Sequence, residues 1–330
     1  MRTTVDLLID DNLVAAFPKG SKILSANRHG NSAWATTARI VVLLPDGTES
    51  MYFLKCAEND AGRVMMEGEF IAMSELHMWM PHFVPKPHSC GKYRIEDPEK
   101  YFFLSEYIDK NNSMPNPDDL CKKLAELHSI SISRNGQFGF HATTCLGRQP
   151  QKVGWEKNWT VFFTKLLKHV TVADFDINGP WKELQMIEQQ IFDIVIPLLI
   201  GNLEKDGRTI KPCLIHNDLW EGNTGTSNSN GKVYVFDSAA IYAHNEMEIG
   251  HWRCHYNKIH NEVYTKTYLK EIKPSEPEDE WDDRNRMYSI YYKIAYSCNQ
   301  KAKGKAVRQD AYNDMYYLVD KYATSPKPLD

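Results

Sequence analysis

The stretch from His216 to Asn223 combines a carboxylate and an amide at a spacing that suits phosphoryl transfer, and a further aspartate, Asp237, follows the next apolar run. Phosphoryl transfer needs a carboxylate that faces the attacking hydroxyl group, and Asp218 is the candidate for this catalytic base. It also needs Mg²⁺, which prefers hard oxygen ligands such as carboxylate and amide oxygens. Asn223 and Asp237 are therefore the candidate metal ligands.

The spacing of these residues, H-x-D-x-x-x-x-N, is that of kinase catalytic loops. The alternative interpretation is a polar turn between two strands, because Asp and Asn are common in turns. The histidine at the correct offset, the flanking apolar runs and the position of Asp237 directly after Val235 and Phe236 favour the catalytic interpretation. A turn and a strand between Asn223 and Asp237 are expected to bring the two metal ligands to one site.

A lysine in the first sixty residues is the candidate for binding the nucleotide phosphates. The apolar run from Arg39 to Leu44, a turn signal at Pro45 to Thr48 and a second apolar run from Met51 to Leu54 predict a β-hairpin. Lys55 follows at the end of its second strand. In kinases such a lysine contacts the α- and β-phosphates and is oriented by a glutamate on the next helix.

The helix predicted over residues 62–77 supplies this glutamate. Its apolar residues recur at spacings of three and four, which is typical of an amphipathic helix. Glu67 and Glu69 are both candidates. Glu69 is preferred because Met66 and Phe70 are expected to point into the core and to leave Glu69 facing the cleft.

The residues ahead of the hairpin, Ala26 to Ser32, lie where a phosphate-covering loop belongs. This loop holds one glycine, Gly30, and lacks a G-x-G-x-x-G motif, but its small polar residues can offer backbone N–H groups to a phosphate. The sequence has no Walker A motif, which argues against a P-loop enzyme. Downstream, Lys110 to Asp118 is expected to be a linker, and Leu120 to Ser129 and Trp181 to Ile200 are expected to be helices.

A competing pattern follows the catalytic stretch. His244, Glu248, His251 and His255 share one face if residues 244–258 form a helix, and His and Glu at such spacing can bind zinc. The sequence has no H-E-x-x-H motif, so the structural interpretation is favoured. In that interpretation Glu248 accepts hydrogen bonds from the backbone near the catalytic loop.

Composition narrows the class of protein. The chain has 330 residues, 42% of them hydrophobic and 25% charged, with a net charge of -4 and no long basic run. We therefore expect no nucleic-acid and no membrane partner. The N-terminal residues lack signal-peptide features, and the longest apolar run, Ile194 to Ile200, is too short to span a bilayer. The seven cysteines are scattered, without a C-x-x-C pair, so we expect a cytoplasmic protein with reduced thiols.

These motifs resemble the fructosamine/ketosamine 3-kinase family. The stretch from His216 to Asn223 resembles the family loop H-G-D-L-W-x-G-N, and Asp237 to Ala239 resembles its D-P-A. Phe53 to Lys55 with Met66 to Glu69 resembles its strand lysine and F-E-x-E helix. The similarity covers most of the chain, from about Lys55 to Glu248, and is greatest to the fungal branch.

The resemblance implies a protein-kinase-like, two-lobed α+β fold. A small β-rich lobe would comprise residues 1–108 and a larger, mainly α-helical lobe residues 109–330. The cofactors would be ATP and Mg²⁺. The substrate would be a ketosamine, a ribulosamine or fructosamine adduct on an amine or a protein lysine. Phosphorylation of its 3-hydroxyl group gives an unstable product that sheds the sugar, which is deglycating repair.

The resemblance also assigns roles to residues. Asp218 would be the base, and Asn223 and Asp237 would hold Mg²⁺. Lys55 and Glu69 would form the ion pair that orients the phosphates. The adenine-binding hinge would be the backbone of three consecutive residues, Glu106, Tyr107 and Ile108. Trp220 lies between the base and the metal asparagine, and its ring is expected to form a wall for the sugar or its amine substituent.

The sequence departs from the family pattern at three points. Asn217 replaces the usual glycine, Ser238 replaces proline, and the nucleotide loop lacks the cysteine of some relatives, so a thiol switch is expected to be absent. The stretch H-N-D-x-x-E-G-N also resembles choline/ethanolamine kinases. A choline-type or aminoglycoside-type kinase and a nucleotide-binding pseudokinase therefore remain alternatives. The intact lysine, aspartates and asparagine argue against the pseudokinase.

Overall fold

The computed structural model describes residues 9–30, 32–111 and 113–323. Asn31 of the predicted phosphate-covering loop lies outside the described residues, as do the first eight residues of the N-terminal stretch.

The chain forms two compact units, each built from segments that are not consecutive in the sequence. The first comprises the described residues up to Ser113 together with Ala142–Pro150 and Asn223–Ala239. The second comprises Met114–His141, Gln151–Gly222 and the described residues from Ala240 onwards. The boundaries of these compact units differ from those of the predicted lobes, which are continuous in sequence. The predicted lobe boundary between residues 108 and 109 stays a prediction.

The first unit is built on a five-stranded antiparallel sheet of order β1-β2-β3-β5-β4. The predicted hairpin corresponds to β2 and β3, in which Val41 pairs with Met51. The second strand continues beyond Lys55 because it also pairs with β5 as far as Glu58, so Lys55 lies within the strand and not at its end. The strands are β1 (Lys22–Arg28), β2 (Thr36–Leu43), β3 (Glu49–Glu58), β4 (Pro87–Glu96) and β5 (Glu99–Glu106).

Helix α2 (Asn59–Trp79) packs against this sheet and includes the predicted helix over 62–77. Its residues Met66, Met73 and Leu76 are buried, as the spacing predicts. A short helix, α1 (Asp11–Ala15), inserts Leu13 into the core on the sheet. Burial of each such apolar side chain contributes about 1.5–3 kcal/mol to the stability of the folded state. This packing holds in place the sheet that carries Lys55.

Two short hairpins complete the first unit. The first pairs β6 (Cys145–Leu146) with β7 (Gln149–Pro150), and the second pairs β9 (Thr224–Thr226) with β10 (Val233–Val235).

The second unit is mainly helical, and both predicted helices are present. Its helices are α3 (Pro117–Ile130), α4 (Trp159–Asn178), α5 (Lys182–Gln190), α6 (Asn245–Gly250), α7 (Glu262–Glu271), α8 (Trp281–Asn299) and α9 (Lys301–Ala323). Strands β8 (Cys213–Ile215) and β11 (Ile241–Ala243) form an antiparallel pair whose residues are all buried. The candidate catalytic stretch begins at His216, directly after β8.

Helix α5 continues into π-helical residues Ile191–Ile200, where Pro197 lacks the N–H group that a regular helix needs. The helical stretch Lys182–Glu204 has 23 residues and a mean hydropathy of 1.3 in its most apolar window, so by length and composition alone it could cross a membrane. Val195 and Leu199 are buried in the second unit, and 39% of that window is buried in total. The absence of a membrane partner stays a prediction.

Candidate active site

Lys55 lies buried in the first unit between two carboxylates. Its Nζ is 2.8 Å from Glu69 Oε1 on α2 and 2.5 Å from Asp237 Oδ1 after β10. A second oxygen of Glu69 accepts from the same ammonium group at 3.0 Å. The structure therefore brings together three residues that the sequence separates by as many as 182 positions (237 minus 55).

The alternative glutamate on α2 has a different partner. Glu67 lies on the exposed face of the helix, and its Oε2 accepts from Arg63 Nη1 at 3.0 Å, one turn earlier. This geometry agrees with the prediction that Glu69, and not Glu67, is the partner of Lys55.

Burial and ion pairing have opposite effects on the pKa values of this cluster. Burial alone would lower the pKa of Lys55, but the carboxylates of Asp237 and Glu69 outweigh burial and raise it, so the ammonium group stays charged. Burial raises the pKa of Glu69 to about 7. Asp237 adds to this rise, whereas Lys55 opposes it. One ammonium group thus lies between two carboxyl groups, and burial favours the protonated form of one of them, Glu69.

The hairpin of β9 and β10 brings the two candidate metal ligands to one place. The N–H of Phe236 donates to the carbonyl of Asn223 at 2.9 Å, and Asn223 Nδ2 is 3.4 Å from the carbonyl of Asp237. This is the turn and strand that the sequence leads one to expect. Asp237 has a left-handed backbone, with φ of 56°, and its side chain is 42% exposed.

Lys110, which lies in the predicted linker, contacts the same hairpin. Lys110 Nζ donates to the carbonyl of Thr224 at 2.8 Å and lies 5.3 Å from the ring centroid of Phe236. The stem of this lysine fills the space over Gly225, where a Cβ would lie 2.2 Å from Lys110 Cδ. No local pattern distinguishes Lys110 from a solvated lysine, so the sequence could not have identified it.

The predicted nucleotide-binding residues lie at the ends of strands of the same unit. Gly30 follows β1 with φ of 79°, a conformation that glycine adopts without strain. Glu106 ends β5, where its N–H donates to the carbonyl of Lys86 at 2.8 Å. The next residue, Tyr107, donates its N–H to Met51 and contacts His29 through its hydroxyl group at 3.3 Å. Ile108 follows, half-buried.

In the second unit, a buried carboxylate holds the start of the catalytic stretch. Glu248 on α6 accepts from the N–H groups of His216 at 2.5 Å and of Asn217 at 3.0 Å. The expectation that Glu248 accepts hydrogen bonds from this backbone is confirmed. Further along the stretch, Leu219 accepts from the indole N–H of Trp252 at 3.0 Å.

The geometry of Asn217 accounts for its place in a motif that usually has glycine. Its φ is 64°, in the left-handed region that glycine and asparagine tolerate best. Its side chain is fully buried, where Nδ2 donates to Gln151 Oε1 at 2.7 Å and Oδ1 accepts from the Tyr292 hydroxyl at 2.8 Å. Tyr291 donates to the same Gln151 oxygen at 2.7 Å.

We expect Asn217→Ala to destabilise the protein by about 2–4 kcal/mol, because alanine combines a strained left-handed backbone with the loss of two buried hydrogen bonds. Asn217→Gly keeps the backbone conformation and should lose less stability. Urea unfolding of both variants measures this order, and equal losses would contradict the role given to the backbone.

Asp218 and Trp220 follow on this loop. The N–H of Asp218 points to His216 Nδ1 at 3.3 Å. The ring of Trp220 is 36% exposed and lies over Gly222, where a Cβ would come within 2.3 Å of the ring. The loop therefore needs glycine at 222 to hold the tryptophan in place. Glu221 accepts from the N–H of Lys258 at 2.8 Å.

The histidine pattern is structural. The condition for a shared helical face is not met, because α6 ends at Gly250 and the chain is extended again at Cys254. Both ring nitrogens of His244 are hydrogen-bonded, to Tyr288 and to Ser275, each at 2.9 Å, and burial lowers its pKa to about 4. Across the described parts of the chain, no group of three or more His, Cys, Asp or Glu residues could hold a metal ion.

A fructosamine kinase family model matches residues 26–320. The chain is 28% identical over 279 residues to the chloroplastic protein-ribulosamine 3-kinase of Oryza sativa subsp. japonica, which covers 83% of this chain and 72% of that protein. It is 27% identical over 234 residues to the ketosamine-3-kinase of Mus musculus, which covers 62% and 70%.

Two solved structures share the fold. A candidate fructosamine-3-kinase from Thermobifida fusca YX-ER1 has a TM-score of 0.69 at 18% identity, which covers 90% of this chain and 95% of that chain. Aminoglycoside phosphotransferase APH(4)-Ia, in a ternary complex with AMP-PNP and hygromycin B, has a TM-score of 0.61 at 13% identity, with coverage of 96% and 99%. The predicted protein-kinase-like α+β fold is confirmed.

Proposed function

Because the chain belongs to the fructosamine kinase family, we propose that it transfers the γ-phosphoryl group of ATP to the 3-hydroxyl group of a ketosamine. Membership confirms the coarser prediction, a phosphotransferase with an alcohol acceptor. The relatives named ribulosamine or ketosamine 3-kinases support a ribulosamine or fructosamine adduct as the acceptor. Loss of the sugar after phosphorylation would make the reaction a cytoplasmic deglycation of amines or protein lysines.

The observation that carries this proposal is the buried cluster of Lys55, Glu69 and Asp237. Phosphoryl transfer depends on positioning and on neutralising charge spread over the phosphate oxygens. Lys55, held charged by its two carboxylates, is suited to bind the α- and β-phosphates. Glu69 fixes the direction of its ammonium group.

The residues around Asp237 fit a magnesium ion. Asn223 and Asp237 lie next to each other and offer an amide and a carboxylate oxygen, the hard donors that Mg²⁺ prefers. Two protein ligands suffice because Mg²⁺ in kinases is also bound by phosphate oxygens and water. When bound, the ion would neutralise negative charge on the phosphates.

The adenine ring would lie against the backbone of Glu106, Tyr107 and Ile108. The N–H groups of Glu106 and Tyr107 donate to Lys86 and Met51. We therefore assign the adenine contacts to the Glu106 carbonyl and the Ile108 N–H. Gly30 would allow the chain after β1 to approach the phosphates.

Asp218 is the residue we propose as the base, since its carboxylate can orient the attacking hydroxyl group and accept its proton. The loop that carries it is fixed by hydrogen bonds from its backbone to Glu248. Trp220, half-exposed on the same loop, would be the wall against which the sugar or its amine substituent packs.

Trp220→Ala is expected to raise KM for the ketosamine by roughly fivefold to tenfold, the scale of one lost aromatic contact, with a smaller effect on KM for ATP. Trp220→Phe keeps an aromatic surface and should recover most of the affinity. Equal increases in both KM values would indicate a ring that only packs under the loop.

A panel of acceptors tests the function. ADP formation is measured with ribulosyl-lysine, fructosyl-lysine, choline and an aminoglycoside, each with the parent protein and with Asp218→Asn. We expect turnover with the ketosamines that disappears in the variant. Faster turnover with choline or the aminoglycoside would favour those kinase types, and nucleotide binding without turnover on any acceptor would favour a pseudokinase.

A further inference from the structure

We infer that the short segment Ala142–Pro150 positions Glu69 and Asp237 around Lys55, and that Gly68 and Thr144 are the positioning residues through which it acts. The inference rests on the proposed function, because nucleotide use by the Lys55 cluster is its readout. The segment lies in the first compact unit, although the residues directly before and after it belong to the second.

The backbone of the segment lies directly on helix α2 at Gly68. A Cβ at Gly68 would be 2.3 Å from the carbonyl oxygen of Thr143 and 3.3 Å from the Cα of Thr144. Both are backbone atoms, so a side-chain rotation could not relieve such a contact. Any side chain at position 68 must shift the helix or the segment. Glu69 is the next residue of the helix and would move with it.

The same segment also contacts the chain that carries Asp237. Thr144 is fully buried, and its hydroxyl group donates to the carbonyl of Ala239 at 3.3 Å. Ala239 lies two residues after Asp237, whose φ of 56° is in the left-handed region that aspartate adopts only occasionally. Such a conformation persists only where the surroundings hold it, and the Thr144 hydrogen bond is one such support.

The segment Ala142–Pro150 is held in its conformation by its own strand pairing and by contacts within the first unit. Its two strands form a hairpin in which Cys145 pairs with Pro150 and Leu146 with Gln149, and Gly147 turns the chain with φ of 58°. Leu146 is buried. The guanidinium group of Arg148 lies 5.1 Å from the ring centroid of Trp34 and ties the turn to the first unit.

The segment Ala142–Pro150 therefore contacts both parts of the chain that supply a carboxyl group to Lys55. The ammonium group meets Glu69 at 2.8 Å and Asp237 at 2.5 Å, and a shift of either element would lengthen one of these distances. A misplacement of about 1 Å at a binding site can cost on the order of 100-fold in rate. The segment would act on the phosphates only through these residues.

The test compares Gly68→Ala and Thr144→Val with two control variants. Thr144→Val keeps the volume and removes the hydroxyl group, whereas Thr144→Ser keeps the hydroxyl group. Glu67→Ala alters the exposed face of the same helix, beside Gly68. For each variant we measure kcat, KM for ATP at saturating Mg²⁺, KM for ribulosyl-lysine, and the Tm without ligand.

We expect Gly68→Ala and Thr144→Val to raise KM for ATP about tenfold, with KM for the ketosamine near the parent value. Thr144→Ser and Glu67→Ala should behave like the parent. A lowered Tm with unchanged KM for ATP would overturn the inference, because it would show that the segment only packs. If Gly68→Ala does not fold, the pair Thr144→Val and Thr144→Ser decides.

The failure of the inference can be told from the failure of the proposed function. If the parent protein does not turn over a ketosamine, the Kd for Mg-ATP, measured by calorimetry, replaces KM in the same comparison. Weaker Mg-ATP binding in Thr144→Val with recovery in Thr144→Ser would support the positioning role. Equal Kd values would exclude it.

Discussion

We expect Asp218→Asn to lower kcat for the proposed ketosamine phosphorylation by about 100-fold or more, the usual scale for the loss of a general base. An alcohol that attacks a phosphoryl group must lose its proton, and the amide cannot accept it. Because the transition state is loose, orientation of the hydroxyl group matters as well as basicity. Asparagine keeps the size of the side chain, and the hydrogen bonds from the loop backbone to Glu248 do not involve the substituted group. Folding and ATP binding should therefore remain nearly intact.

The measurement is kcat with ribulosyl-lysine, beside a thermal shift with Mg-ATP. Glu221→Gln is the matched control. It removes a carboxylate from the same loop but keeps an oxygen that can accept from the Lys258 N–H. The control should keep a kcat near the parent value. If Asp218→Asn also does so while normally folded, Asp218 is not the base, and the stretch from His216 to Asn223 is not a catalytic loop.

The sequence predicts those parts of the site that local patterns determine. Two apolar runs joined by a turn signal predict the hairpin that carries Lys55. The helical spacing of Met66 and Phe70 selects Glu69 over Glu67. The spacing from Asp218 to Asn223 and the apolar strand before Asp237 predict that a hairpin returns the chain to Asn223. In each case the information lies within about twenty consecutive residues.

Long-range packing determines the parts that the sequence could not predict. Lys110 lies in an Asn- and Pro-rich stretch and shows its role only through the carbonyl of Thr224, more than a hundred residues away. The segment Ala142–Pro150 has no catalytic motif, and its contact with Gly68 depends on two backbones in close approach.

The pattern of His and Glu residues from 244 to 255 shows the same dependence on long-range packing. The spacing of its His and Glu residues suggested one helical face, but His244 and Glu248 are held by separate buried hydrogen bonds, and the helix ends at Gly250. Buried polar side chains can form hydrogen bonds in several directions, so their spacing is a weaker indication of a helix than the spacing of apolar residues.

Asp237→Ala is expected to lower turnover by about 100-fold or more, because it removes a proposed ligand for Mg²⁺ and one of the two carboxyl groups that face Lys55. The loss of stability should be far smaller. Lys55 keeps two hydrogen bonds to Glu69, and the strain of alanine at a φ of 56° costs only about 1–2 kcal/mol. A large loss of activity with a nearly unchanged fold is thus the expected pattern.

A second substitution separates the effect of charge from that of backbone strain. Asp237→Asn retains an oxygen donor and tolerates the left-handed conformation, so it should be more stable than Asp237→Ala and should need a higher Mg²⁺ concentration for half-maximal rate. The measurements are urea unfolding and a Mg²⁺ titration of ADP formation with a ketosamine. Parent turnover in Asp237→Ala at the parent Mg²⁺ requirement would show that Asp237 is not a metal ligand, and its contact with Lys55 would then serve only to hold the hairpin of β9 and β10 against the sheet.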